Sequence, residues 1–156
     1  MEQREEAIQG INEKLREMST ETIMFHQAVA DVLGLHITDH KCLDLIHRFG
    51  AMPAGRLAEL TGLTTGAVTG IIDRLEEAGY VRRVDDPKDR RRTIVEPTRN
   101  RKLEKKIEAI FMPLHERMHK LLSSYSDREL SFLLDVLTKS LDQSHQELMK
   151  LRGMQS

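Results

Sequence analysis

A stripe stepping by threes and fours runs through the first 33 positions: Ile8, Ile11, Leu15, Met18, Thr22, Phe25, Val29 and Val32, with charges opposite. This predicts a long amphipathic helix ended at Gly34, a residue that tolerates a left-handed cap. Cys42, Leu43, Leu45 and Ile46 form the apolar face of a second helix, with Thr38 or Asp39 as its N-cap and Gly50 as its stop. A third helix is expected to have Pro53 in its first turn, to turn Leu57, Ala58 and Leu60 inward, and to stop at Gly62. A fourth starts at Thr64, buries Ala67, Val68, Ile71, Ile72 and Leu75, and stops at Gly79. The third and fourth are joined by the short turn Thr61-Gly62-Leu63-Thr64, the pattern of a helix-turn-helix.

After Gly79 the period changes. Tyr80–Val84 and Arg92–Glu96 are short β-compatible runs, separated by the charged, turn-rich stretch from Asp85 to Arg91. They predict a β-hairpin with a basic tip, the wing of a winged helix. Helical spacing then returns. Leu103, Ile107, Ile110, Leu114, Met118 and Leu121 make one stripe, which Pro113 should kink or divide. Leu130, Leu134, Leu137, Leu141, Leu148 and Leu151 make another, after cap chemistry at Ser123–Asp127. The fold class is therefore mainly α with a small β-hairpin, an α+β winged helix. We divide it into an N-terminal dimerisation helix over 1–36, a winged helix-turn-helix over 37–98 and C-terminal dimerisation helices over 99–156. A winged helix of about 60 residues cannot cover three long stripes, so a second copy is the expected partner.

Charge sharpens the picture. The 156 residues carry a net charge of −1, yet Tyr80 to Lys106 holds eleven Lys/Arg against five Asp/Glu. A local excess of this kind points to an anionic partner, nucleic acid first. Composition excludes other classes. No run of about 18 uncharged apolar residues suggests a membrane span. The charged N-terminus lacks a secretory h-region, and the single cysteine allows no internal disulfide, so a cytoplasmic protein is expected. Catalytic constellations are lacking too: there is no Gly-rich phosphate loop, nucleophile elbow or His-Glu-x-x-His. No enzyme activity, cofactor or metal is assigned.

The stretch from Leu57 to Thr98 resembles the MarR family of winged-helix bacterial transcription regulators. The resemblance rests on Leu57-Ala58-Glu59-Leu60-Thr61-Gly62-Leu63-Thr64, Ala67-Val68-Thr69, Asp73-Arg74-Leu75-Glu76-Glu77-Ala78-Gly79-Tyr80-Val81, and the wing signature Asp86-Pro87-Lys88-Asp89-Arg90-Arg91. The chain departs from the family pattern at Pro97, where a leucine is usual, and at Arg101, where a glycine is common. Proline cannot donate a ladder hydrogen bond, so the second wing strand is expected to end by Glu96.

A helix fits the major groove and reads it with side chains near its N-terminus. Thr64, Thr65, Gly66, Thr69 and Gly70 occupy that region of the fourth helix. The threonines can hydrogen-bond or meet a thymine methyl, and the glycines permit close backbone approach. Arg74 suits a phosphate, or could pair with Glu77 or Asp73. The resemblance instead gives Asp73 the task of holding a wing arginine. At the tip, Lys88, Arg90, Arg91 and Arg92 are the wing's DNA-binding candidates, with Arg90 expected in the minor groove; the resemblance implies that Arg91 pairs locally with Asp86 or Asp89. Arg82 and Arg83 could reach flanking phosphates.

The resemblance further implies a ligand-responsive regulator, a repressor first, that binds a pseudo-palindromic operator in double-stranded DNA as a homodimer. It also implies a small-molecule effector such as an aromatic acid, seated between the dimerisation helices and the winged helix. Met24, Phe25, His26, His36, Met52 and Phe111 are the candidate lining. Alternatives are a winged-helix module that binds protein rather than DNA, or a redox- or metal-sensing member. Cys42 reads better as a small buried residue than as a sensor. His36/His40 and His115/His119 have i,i+4 spacing, but no third metal ligand is evident.

Overall fold

In the computed structural model, residues 2–86 and 93–154 are described. The wing-tip candidates Lys88, Arg90, Arg91 and Arg92 lie outside them, as does Met1. Among the described residues, six helices and three short strands follow in the order α1 (Glu2–Leu33), α2 (Ile37–Phe49), β1 (Met52–Pro53), α3 (Ala54–Thr61), α4 (Thr65–Glu77), β2 (Val81–Asp85), β3 (Thr93–Pro97), α5 (Arg101–Leu122) and α6 (Asp127–Gly153). The mainly helical winged-helix class is as expected. The chain forms two units, Met1–Asn100 and Arg101–Ser156.

In the first unit, glycine sets the helix ends. Gly34, Gly50 and Gly62 follow α1, α2 and α3 with φ near +71 to +79°, and Gly79 takes φ 78° after α4. A side chain at such a φ would be strained, so these stops are chemical rather than incidental. The start of α2 differs from expectation. Its N-cap is His36, not Thr38 or Asp39: the ring Nδ1 accepts from the Thr38 backbone N–H at 3.3 Å and lies 2.6 Å from the Thr38 hydroxyl. Imidazole thus substitutes for the usual hydroxyl or carboxylate, which frees Asp39 for another task.

The sheet has the order β1-β3-β2, antiparallel throughout. The hairpin β2/β3 was expected, but β1 was not. Pro53 sits in that strand and at the N-cap of α3 rather than inside the helix. Met52 pairs with Val95 and Pro53 with Ile94. A two-residue strand containing proline carries no periodicity to detect. The end of β3 also corrects expectation, because it runs through Pro97, which lies opposite Val81. The Thr98 N–H donates to the Tyr80 carbonyl at 3.0 Å, so the neighbouring Val81/Pro97 pair falls in the non-hydrogen-bonded register, where no N–H is needed.

The core of this unit joins Val29, Ala30 and Leu33 of α1 to Leu43 and Ile46 of α2, Leu57 of α3, Val68, Ile72 and Leu75 of α4, and Val81 and Val95 of the sheet. Ala67, expected to be buried, is exposed on α4. The helix turns 100° per residue, which leaves Val68, Ile71, Ile72 and Leu75 as the inward face and puts Ala67 beside the outward residues.

In the second unit α5 continues through Pro113 as one helix, neither ended nor divided there. α6 begins with a capping box: Ser126 accepts from the Glu129 N–H, and Glu129 accepts from the Ser126 N–H at 2.8 Å. Neither helix buries a residue, and Leu134 and Leu141 are 67% and 71% exposed.

Truncation should separate the two units. Leu57→Ala removes a fully buried side chain and is expected to cost about 2–5 kcal/mol in denaturant unfolding. Leu134→Ala in α6 should cost much less wherever the chain is held monomeric.

Candidate nucleic-acid interface

The helix-turn-helix is built from α3, α4 and the Gly62 turn. Thr61 stabilises that turn, donating its hydroxyl to the Leu57 carbonyl at 2.7 Å and accepting from the Leu63 N–H. Thr64 then caps α4 by accepting from the Ala67 N–H at 3.2 Å. Its side chain is therefore partly committed to the fold. Thr65, Gly66, Ala67 and Thr69 are exposed, and Gly70 is half-buried. Thr69 donates its hydroxyl to the Thr65 carbonyl at 2.9 Å, which leaves the oxygen lone pairs and the methyl group facing outward chemistry.

Both glycines have helical backbones rather than positive φ. A Cβ at Gly66 would meet nothing within 4 Å, and one at Gly70 would meet only the end of Arg74 at 3.6 Å. Nothing among the described residues needs them small. Each nonetheless costs a helix about 1 kcal/mol relative to alanine.

The second half of α4 is tied down on two sides. Arg74 makes a two-pronged bond to Asp39 of α2, Nε to Oδ2 at 2.8 Å and Nη2 to Oδ1 at 2.7 Å. The Asp39 carboxylate is buried, while 55% of the Arg74 side chain stays exposed. This pair replaces the expected partners Asp73 and Glu77, and it raises the Arg74 pKa through the hydrogen bond to Asp39. On the other side, Arg83 of β2 bonds Asp73 and Glu76, each at 2.5 Å, and its backbone N–H donates to Glu76 at 2.8 Å. Those bonds, the backbone one foremost, hold the Glu76 carboxyl below its usual range. Asp73 thus holds an arginine of the wing strand, as the resemblance implies. Arg83 is a brace here rather than a free cation, and Arg82 pairs with Glu96 at 2.6 Å.

Two further ties fix α1 to this frame. The buried Tyr80 hydroxyl donates to the Leu33 carbonyl at 3.0 Å. His26 Nδ1 lies 3.1 Å from His40 Nε2. Sequence reasoning missed Asp39, His40 and Tyr80, because each acts across 14 to 47 positions of chain.

The candidate effector residues fall on both units. Met24 and His36 are exposed, Phe25 and His26 are half-buried on α1, Met52 is buried in β1, and Phe111 belongs to the second unit. His36 lines an open cleft of about 530 Å³ with Thr38, Asp39, Arg74 and Ala78. Cys42 is fully buried, and desolvation pushes its thiol up to about 11, so it is protonated at neutral pH. His115 and His119 are exposed on α5. Among the described residues no three possible metal ligands cluster.

Comparison with known proteins agrees with this architecture. The MarR family model matches residues 35–93. The chain is 43% identical over 137 residues to the uncharacterized HTH-type transcriptional regulator YcgE of Bacillus subtilis, covering 88% of each chain. The chain belongs to the MarR family. Among solved structures, the transcriptional regulator Tm0710 of Thermotoga maritima is 28% identical with a TM-score of 0.61, over 90% of this chain and 97% of its own. The structure of FabT of Streptococcus pneumoniae in complex with DNA shares the fold at 24% identity and a TM-score of 0.63, over 92% of this chain and 99% of its own. As a MarR-family chain, it keeps the helix-turn-helix and wing strands in family order, with Pro97 accommodated by the ladder register.

The Asp39–Arg74 pair is open to a direct test. Asp39→Ala should lower stability by about 1–3 kcal/mol in urea unfolding, because it removes two charge-assisted hydrogen bonds. Glu77→Ala, one turn away and exposed, should change it little.

Proposed function

We propose that this protein is a transcription regulator that binds double-stranded DNA as a homodimer, with α4 in the major groove and the wing in the minor groove. The observation that carries this reading is the pair of helical glycines on the outward start of α4. Their small size has no cause among the described residues and carries a stability cost, so we assign it to close approach by a surface outside the chain. A duplex is that surface. It fits the basic excess from Tyr80 to Lys106, the winged-helix architecture and the DNA complex solved for FabT.

In this reading Thr65 and Thr69 meet base edges or a thymine methyl, and Gly66 and Gly70 let the α4 backbone close on the groove. Thr64 serves mainly as the cap that aims α4. Arg74 aims the helix too, since Asp39 holds it, and its exposed face can still approach a phosphate. Lys88, Arg90, Arg91 and Arg92 supply wing charge, with Arg90 entering the minor groove. The uncovered leucines of α5 and α6 and the exposed stripe of α1 support self-association, because an amphipathic helix needs cover for its apolar side. A two-fold dimer would set its two recognition helices about 34 Å apart, on one face of a pseudo-palindrome. An aromatic-acid effector that shifts this spacing, and repression as the output, remain part of the proposal. A regulator of this kind works in the cytoplasm and needs no catalytic activity.

Fluorescence anisotropy with the DNA upstream of its own gene tests the reading. Gly66→Ala should raise thermal stability, by up to about 1 kcal/mol, yet weaken DNA binding. Thr69→Ala should change preference among half-sites, and Arg90→Ala should cost most on A·T-rich flanks. Wild-type affinity should fall steeply between two salt concentrations. A Gly66→Ala protein that binds as tightly as wild type, or salt-insensitive binding, contradicts the groove assignment.

A further inference from the structure

Asp39 and His40 are adjacent in α2, and both are buried, at 2% and 4% exposure. Each is joined to a different helix. Asp39 holds Arg74 of α4, and His40 faces His26 of α1 with the ring centroids 5.3 Å apart. The 3.1 Å contact between the two imidazoles needs one N–H and one lone pair. It survives while His40 keeps a single proton. When both rings are charged, both facing nitrogens donate and the contact becomes a repulsion.

His40 is the constrained member. It is 4% exposed, and its Nδ1 is buried with no partner among the described residues. A charged His40 would place an N–H at that position with nothing to accept it. We propose that the His26–His40 pair is an acid-sensitive latch between α1 and α2, whose opening loosens α2, the helix that holds Arg74 of α4, and so lowers DNA affinity. The last clause rests on the DNA-binding reading above; the latch itself does not.

The surroundings agree. Burial, then the facing His26, lower the His40 pKa; Lys41 acts the same way and Asp44 opposes them. Several other charged groups on the elements packed against α2 have partners of their own, and Glu77 at the end of α4 is exposed. Arg74 of α4 is held by Asp39, Asp73 and Glu76 by Arg83, Arg56 of α3 by Glu59, and Glu96 of β3 by Arg82. On α1, Asp31 accepts from Gln27. A histidine whose folded pKa is lowered adds stability that is complete above its ordinary value near 6.5. That stability is lost as pH falls through the lowered value.

The test is a double-mutant cycle on the full-length protein with His26→Gln, His40→Gln and the double variant, by urea unfolding at one fixed protein concentration, at pH 7.5 and 5.0. The latch predicts a favourable coupling at pH 7.5 that vanishes or changes sign at pH 5.0, and a shallower acid loss in H40Q than in wild type. If H40Q fails to fold, H26Q decides alone, because its amide oxygen can accept from a charged His40 and should blunt the acid loss. Equal coupling at both pH values, or variant profiles that overlay wild type, overturn the latch. Anisotropy with the upstream DNA is the second arm: wild type should lose about tenfold more affinity on acidification than H40Q. Equal losses overturn the regulatory clause. Absence of DNA binding at every pH overturns the functional reading and leaves the unfolding cycle to judge the latch.

Discussion

The buried carboxylate of Asp39 is the constraint around which the first unit is arranged. A carboxylate at 2% exposure needs a partner, because leaving it unpaired in a dry site costs several kcal/mol. Arg74 supplies one with two short bonds. That choice sets the register of α4 on α2. Arg83, reaching from β2 to Asp73 and Glu76, sets the angle between α4 and the hairpin. The cations of the second half of α4 and of β2 are thereby spent on the frame. What α4 presents freely is its first half, and there the side chains are small: Thr65, Gly66, Ala67 and Thr69.

In the proposed reading, this division of labour lets a helix with no arginine near its start serve recognition. The charge that attracts a polyanion is carried elsewhere in the sequence, by the stretch from Tyr80 to Lys106. In that reading the start of α4 would contribute shape and backbone proximity instead. Rigidity in the frame matters more when the reading surface has no long side chains to adapt, since a displaced backbone cannot be compensated by a rotamer. α1 joins the same frame through Tyr80 and His26, so the longest helix of the unit is tied to α2 and to the chain entering β2 by polar contacts as well as by Val29, Ala30 and Leu33.

Local chemistry was legible in the sequence; long-range pairing was not. Gly34, Gly50, Gly62 and Gly79 announced the four helix ends, because a positive φ is nearly theirs alone. The Thr64 cap and the Ser126 break followed from equally local rules. β1 was invisible because two residues have no period, and its proline pointed to a helix start. Ala67 was placed inward because a small apolar residue fits either face of a helix. His36 was passed over as a cap because hydroxyls and carboxylates dominate that position. Arg74 was assigned to a phosphate, or to Glu77 or Asp73, because its true partner lies 35 residues upstream, on a helix whose packing no periodicity reveals. Even Pro97, read as a strand end, depended on which register the ladder took.

In the proposed complex, two copies of this frame present the bare starts of their α4 helices to one side of a duplex. Hydroxyl-radical footprinting on the DNA upstream of its own gene measures this most directly. Such a dimer should leave two protected patches on one face of the helix, centred about one turn, roughly 10 base pairs, apart. A single patch, protection on opposite faces, or no protection at low salt would contradict it.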